Sequence, residues 1–502
     1  MFFLYRGRPY THAAAKHRID AVVRGLIHIG VRRGDPVGVL MGTRPTALAL
    51  VAALSRLGAV AVLLRPDGDP AAEARLGRVT RVIADPEHAA RAAKLDGVQA
   101  YLLGGAGRGD RGPLTDMEDI DPERVEPPGW YRPNPGRAGD LAFVVFRGDG
   151  EQLRASRITN RRWALSAFGT ASSAALSPSD TVYSITPLQH PSALLMSLGG
   201  AVAGGARLAL ASSYDPETFW DEARRYGVTV ASYTWTSLGD LVNAPPNPAE
   251  RHHAVRLFIG SGMPRNLWRR VEERFAPARV LEFYASTEGE SVLVNLSGKK
   301  PGSLGRPLPG SAEVRPARYD LENGRLAEGP DGFAIECEPG EIGMLLARVR
   351  LAAIGSAARP VRGVFRPEDA WTITGDLFRR DAARRLLAGR PGDGADPHGR
   401  RHRPARPDPG RARRHPLHRH RRGLRDPGRG HGTGRGGRQP AGPGRPEAAR
   451  PVRGAAAGGA GAAARDRPDR GRGAGHGGTA AADGAAARRG RPARGRRARL
   501  LP

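Results

Sequence analysis

Tyr284, Thr287 and Glu288 lie close together in Phe283-Tyr284-Ala285-Ser286-Thr287-Glu288-Gly289, directly after an apolar run that predicts a strand. An open α/β sheet places its ligand groups at such carboxyl ends of strands. The residue types could meet a ligand in three ways, through an aromatic face for a planar group, a hydroxyl donor for an oxyanion and a hard carboxylate for a hard cation. The same residues also read as a polar strand-to-loop turn. Upstream, Arg256-Leu257-Phe258-Ile259-Gly260-Ser261-Gly262 is an apolar run closing in small residues, whose glycines allow close approach to a planar ligand. Downstream, Thr374-Gly375-Asp376-Leu377 offers a carboxylate, although Asp376 alone would more often be a turn residue.

The elements that must position these residues follow from periodicity. Ile19, Val22, Val23, Leu26 and Ile27 have helical spacing, Pro36–Met41 is a short buried-strand run, a second helix covers 48–57, and Val60–Leu64 is another strand. Strand-like runs recur at 141–146, 181–185, 228–233, 255–259 and 280–284, with helices over 193–203 and 266–275. Nearly continuous apolar strands alternating with helices indicate an α/β fold whose parallel sheet is covered on both faces. Gly/Pro-rich stretches near 104–113 and 126–138 read as surface excursions. From about 310 to 376 the pattern changes to short strands and turns.

Charge divides the chain unevenly. The formal net charge is +29, yet residues 391–502 hold 28 arginines, no lysine and 8 acidic residues, leaving 51 basic and 42 acidic residues before them. That segment also lacks Ile, Met, Phe, Tyr, Trp, Asn, Cys and Ser, so it has too little apolar surface to offset chain entropy and reads as disordered. An arginine-rich nucleic-acid-binding arm is the functional alternative for it, but aromatic residues for stacking are missing, and no specific nucleic-acid partner is expected. The single cysteine, Cys337, excludes an intrachain disulfide framework and a thiolate cluster, which suits a reducing cytoplasm. No apolar run reaches the roughly 18 residues of a spanning helix. A cytoplasmic protein is the expectation, with peripheral membrane contact left open and the oligomeric state unspecified.

Taken in order, these motifs resemble those of AMP-forming acyl-CoA synthetases of the adenylate-forming superfamily. The 284–289 segment is similar to the Y-x-x-T-E-G signature, and Thr374-Gly375-Asp376 to the T-G-D motif. Pro187-Leu188-Gln189-His190-Pro191 is similar to the P-L-x-H turn, while Gly302–Gly305 and Gly340–Gly343 match further landmarks. The 180–245 stretch points to the very-long-chain, fatty-acid-transport-protein-like branch, and the resemblance covers about residues 3–382. It implies an adenylation domain over 1–382: two packed α/β layers with mostly parallel sheets and a small β-rich subdomain at about 305–376, then a disordered tail at 383–502. It also implies that Tyr284 stacks on adenine beside Gly260, Ser261 and Gly262, that Asp376 binds the ribose hydroxyls, and that His190 and Gly262 face the acyl substrate. Thr287 would contact phosphate and Glu288 would hold Mg²⁺. The implied substrates are a fatty acid, ATP and CoA.

Two departures stand out. The family's phosphate loop reads like S-G-T-T-G-L-P-K, whereas here Arg147-Gly148-Asp149-Gly150-Glu151-Gln152-Leu153-Arg154 occupies that place. Gly148 and Gly150 remain as nucleotide-binding candidates, and Arg154 supplies the lysine's charge as a catalytic candidate. Asp149 and Glu151, however, set negative charge where triphosphate should lie, so impaired ATP binding is expected. The second departure is the small closing domain, which the resemblance leads one to expect after residue 382. Ala383-Arg384-Arg385-Leu386-Leu387-Ala388-Gly389 contains Arg-Arg-Leu-Leu-Ala-Gly, which certain GC-rich codons would turn, in a shifted frame, into the family-like Gly-Asp-Tyr-Trp-Leu-Ala. The tail therefore reads as out-of-frame sequence.

Overall fold

Apolar runs too short to stand alone pair edge to edge, and among the described residues two large sheets result, beside a two-stranded ribbon of 319–320 and 325–326. The computed structural model describes residues 2–105, 114–285, 291–296, 298, 300–349 and 360–389. One sheet has seven strands, in the order 115–116, 99–102, 81–84, 36–40, 60–63, 141–147 and 154–159. All its neighbours are parallel except the last two, Leu141–Arg147 and Arg154–Thr159, which form an antiparallel hairpin. The other sheet has 14 strands. Its parallel centre runs 207–210, 181–184, 230–234, 257–261 and 279–285, and it continues through antiparallel strands at 292–294, 303–307, 386–388, 370–380, 342–348 and 314–317.

The expected α/β class is therefore present, with one refinement. The β-rich region is hydrogen-bonded onto the edge of the parallel sheet instead of standing apart from it. Regular structure continues a few residues past the boundary expected at residue 382. Leu386–Ala388 forms a strand between 303–307 and 370–380, with Leu386 buried beside Leu345 and Phe378. Three apolar residues after a turn suffice to fill that gap in the sheet. Residues 390–502 lie outside the described residues.

The helix expected at 193–203 forms as two pieces. A π-helical stretch, Ser192–Leu198, runs into an α-helix, Gly199–Gly204. The indole of Trp163 donates to the Leu194 carbonyl at 3.1 Å, and a side chain that claims a main-chain acceptor is a recognised cause of such irregularity. No described helix is long and apolar enough to cross a membrane.

One ion pair, with its carboxylate buried and its guanidinium partly exposed, fastens the start of the 181–184 strand to its neighbours. Arg256 Nε and Nη2 reach the two Asp180 oxygens at 3.0 and 3.1 Å, Thr229 donates to Asp180 at 2.7 Å, and Arg256 Nη2 also caps the Ala174 carbonyl at 2.8 Å. Burial alone would raise the Asp180 carboxyl, but the bonds from Arg256, Thr229 and the Ser177 amide outweigh it and hold it below its ordinary value. Stability from this pair is present above that ordinary value and is lost as pH falls through the depressed one. Because the Arg256 side chain is 41% exposed, its share is modest. Arg256→Ala is expected to cost about 1–3 kcal/mol in urea unfolding at neutral pH and less in acid. Unfolding midpoints equal to the parent's at both pH values would contradict this.

Candidate functional site

The small-residue turn at 260–263 is held by a carboxylate from the neighbouring strand. Gly260 pairs in parallel register with Glu282, so the Glu282 side chain lies beside the turn. Its Oε1 accepts from the Gly262 amide at 2.5 Å and the Met263 amide at 3.0 Å, and its Oε2 accepts from the Tyr233 hydroxyl. Glu282 is only 1% exposed, and burial, partly countered by these donors, pushes its carboxyl up to about 7. Glycine is required twice in the turn. A Cβ on Gly260 would sit 2.4 Å from the Tyr233 carbonyl oxygen, and Gly262 has φ +83°.

Two residues further along the same strand, Tyr284 meets Asp376 across 92 positions of sequence: its hydroxyl donates to Asp376 Oδ2 at 2.8 Å. Phe378 stands edge-on to the Tyr284 ring, with centroids 4.9 Å apart. The Thr374-Gly375-Asp376 segment is a bulge, since Met344 pairs with Leu377 and Leu346 with Ile373, leaving three residues opposite one. Gly375 at φ +79° makes the bend, and Thr374 Oγ1 locks it by donating to the Leu345 carbonyl at 2.8 Å and accepting from the Asp376 amide at 3.2 Å. The bulge turns Asp376 out of the ladder toward Tyr284. Thr287 and Glu288 lie outside the described residues; among the described residues no cluster of three or more His, Cys, Asp or Glu could hold a metal.

The phosphate-loop candidates lie at the hairpin of the other sheet. Gly148 has φ +69°, and a Cβ there would meet the Gln152 carbonyl oxygen at 2.4 Å, so the loop's own closure requires this glycine. Gly150 has φ +52° and open space around it. Arg154 is exposed and turns back on the loop, its Nη1 donating to the carbonyls of Glu151 at 2.7 Å and Leu153 at 2.8 Å. Asp149 is paired: Arg65 Nη2 reaches its Oδ1 at 3.0 Å. The negative charge of Asp149 is thus partly offset within the protein.

The His190 turn links the two sheets. The Leu188 amide donates to Thr43 Oγ1 at 3.2 Å and Gln189 Nε2 to the Met41 carbonyl at 2.5 Å, both just beyond the 36–40 strand. His190 is exposed; its Nδ1 accepts from the Ser192 amide at 3.2 Å, which leaves the neutral ring's proton on Nε2. A cavity of about 400 Å³ opens beside Ala285, walled by Leu165, Phe168, Leu195, Val292 and Leu308. Cys337, by contrast, is buried, and burial pushes its thiol up to about 12, which removes it as a nucleophile.

Comparison with known proteins shows the family. Residues 1–146 and 154–342 match the AMP-binding enzyme family. The chain belongs to that family. The match breaks at 147–153, in the hairpin loop that carries Asp149 and Glu151. Among curated relatives of this chain, the medium/long-chain-fatty-acid–CoA ligase FadD6 of Mycobacterium tuberculosis is 31% identical over 397 residues, covering 75% of this chain and 64% of that protein. Long-chain fatty acid transport protein 2 of Rattus norvegicus is 28% identical over 406 residues, covering 76% and 64%. The chain thus spans less than two thirds of the length of these relatives. Two solved structures share the fold. ATP-bound MatB from Rhodopseudomonas palustris has a TM-score of 0.61 at 21% identity, covering 78% of this chain and 76% of that one. O-succinylbenzoate CoA synthetase from Bacillus subtilis in complex with AMP has a TM-score of 0.58 at 19% identity, covering 77% and 75%.

Sequence reasoning missed Glu282 and Arg65. A lone carboxylate inside the apolar run Val280-Leu281-Glu282-Phe283 was the available signal for the first, because a buried charge demands partners. Since the folded state raises the Glu282 carboxyl, its contribution is fully present below the ordinary carboxyl value and is lost as pH rises through about 7. Glu282→Gln keeps an acceptor for both amides and should flatten the pH dependence of thermal stability by roughly 2–4 kcal/mol between pH 5 and 8. An unchanged pH slope in the variant would show that Glu282 is ionised throughout.

Proposed function

We propose that this chain belongs to an enzyme that activates fatty acids. In the first step a fatty-acid carboxylate attacks the α-phosphorus of ATP, forming acyl-adenylate and releasing pyrophosphate. In the second, the CoA thiolate attacks the acyl carbonyl and AMP leaves. The observation that carries this reading is the Tyr284–Asp376 hydrogen bond, which joins an aromatic face and a carboxylate proposed for adenine and ribose. The Gly260–Gly262 turn beside them gives a base room for close approach, and the apolar cavity next to Ala285 suits an acyl chain. His190 would offer its Nε2 proton near that substrate. Mg²⁺ would accompany ATP, with Glu288 its proposed ligand and Thr287 a proposed phosphate contact.

A reduced version of this function, nucleotide and acyl binding without efficient turnover, is favoured by the phosphate loop. The hydroxyl residues of the family's loop are gone, Asp149 and Glu151 bring negative charge, and the Arg154 guanidinium is engaged with loop carbonyls. Weak first-step activity is the proposal for the chain as it stands. We also propose that residues from about 383 onward are out of frame, which the nucleotide sequence across codons 378–395 would decide. Peripheral membrane contact is proposed from the transport-protein relatives alone.

AMP titration by calorimetry tests the nucleotide reading. Asp376→Asn, which retains an acceptor for Tyr284 but loses charge, should weaken AMP binding about 10- to 100-fold, as expected for hydrogen bonds to a charged group. Its thermal midpoint should stay near the parent's. AMP affinity unchanged in Asp376→Asn would remove this residue from the ribose site.

A further inference from the structure

The strands 60–63 and 141–147 are parallel neighbours, so the loops at their carboxyl ends lie side by side. From the first of these loops Arg65 reaches the second: its Nη2 donates to the Gly148 carbonyl at 2.8 Å and to Asp149 Oδ1 at 3.0 Å. Arg65 is unusually well fixed for a side chain that meets a surface loop. Glu73, with no exposed surface, accepts from Arg65 Nε at 2.5 Å and from the Arg65 amide at 2.7 Å. Arg91 braces the same turn by donating to the carbonyls of Pro66 and Gly68, the latter at 2.9 Å. A side chain at Gly68 would intrude on this arrangement, since its Cβ would come within 2.7 Å of Glu73 Oε1.

A guanidinium held this way has already lost its rotamer freedom, so an anion that meets it gains the full benefit of a charge-assisted contact. The anion it now meets is Asp149, whose side chain is 80% exposed and costs little to displace. We propose that Arg65 is a polyphosphate ligand of the altered loop and that Asp149 is an internal anion which the triphosphate of a nucleotide displaces from it. This rests on the nucleotide reading above and goes beyond it, because it gives a cation from another loop the role for which Arg154 was the candidate. It also changes what Asp149 does. The carboxylate competes for one defined cation instead of merely repelling the ligand, and no bond is made or broken in the exchange.

The two accounts separate in a mutant cycle. Binding of ATP, AMP and inorganic tripolyphosphate is measured by calorimetry on the full chain, on Asp149→Asn, on Arg65→Gln combined with Glu73→Gln, and on the triple variant. Neutralising Glu73 together with Arg65 avoids leaving a buried carboxylate without its cation. Asp149→Asn should tighten ATP and tripolyphosphate by about three- to tenfold and leave AMP unchanged, as expected for one freed surface cation. The Arg65/Glu73 pair of substitutions should weaken both polyphosphates about tenfold with AMP affinity retained, and the gain from Asp149→Asn should vanish in that background. A gain from Asp149→Asn that persists without Arg65 means plain repulsion and overturns the proposal, as does unchanged ATP affinity in the Arg65/Glu73 variant. Should that variant not fold, Arg65→Lys takes its place, with the same loss expected for polyphosphate and the same overturning result. Tripolyphosphate following the pattern while AMP fails to bind would contradict the nucleotide reading and leave the assignment of Arg65 standing.

Discussion

The geometry of the site depends on a buried carboxylate that faces a turn of small residues. Glu282 takes two consecutive amides of the 260–263 turn on one oxygen and the Tyr233 hydroxyl on the other. A turn built from Gly260, Ser261 and Gly262 has no side chains of its own to fix it, and glycine's conformational freedom would leave it loose. The carboxylate supplies that restraint from the adjacent strand. It also fixes the strand that carries Tyr284 two residues on, so the turn and the ring are positioned together. An unpaired group at this depth would cost several kcal/mol, which is why all three donors converge on it.

The opposite half of the site relies on strand irregularity. A regular antiparallel ladder would alternate Thr374, Gly375 and Asp376 between faces; the bulge instead turns Asp376 toward Tyr284. The cost is local, because Thr374 satisfies main-chain groups on both sides of the bend. The phosphate loop shows a different balance. Gly148 is needed for hairpin closure, Arg154 is engaged with the loop's own carbonyls, and Asp149 is paired with Arg65 from another loop.

Much of this was legible in the sequence, and the limits were physical. The parallel strands were visible because residues buried on both faces leave continuous apolar runs, as in the 230–234 and 257–261 strands. Tyr284 and Asp376 were identifiable separately, but their contact depends on a bulge whose register no periodicity encodes. Glu282 carried a signal, a carboxylate in an apolar run, that was not used. Arg65 and Glu73 carried none, since the loop they serve lies 83 residues away in the chain. The strand at 386–388 was hidden because three apolar residues after an arginine pair look like the compositional background that follows.

The central claim is that the 260–263 turn and the 374–376 bulge are two halves of one nucleotide seat. Hydrogen exchange followed by mass spectrometry, with and without saturating AMP, tests it most directly, because a shared ligand must slow opening in both segments at once. The account predicts added protection in peptides spanning 257–263 and 372–378 together, with the 36–40 strand unchanged. Protection confined to one segment, or appearing only elsewhere, would contradict it.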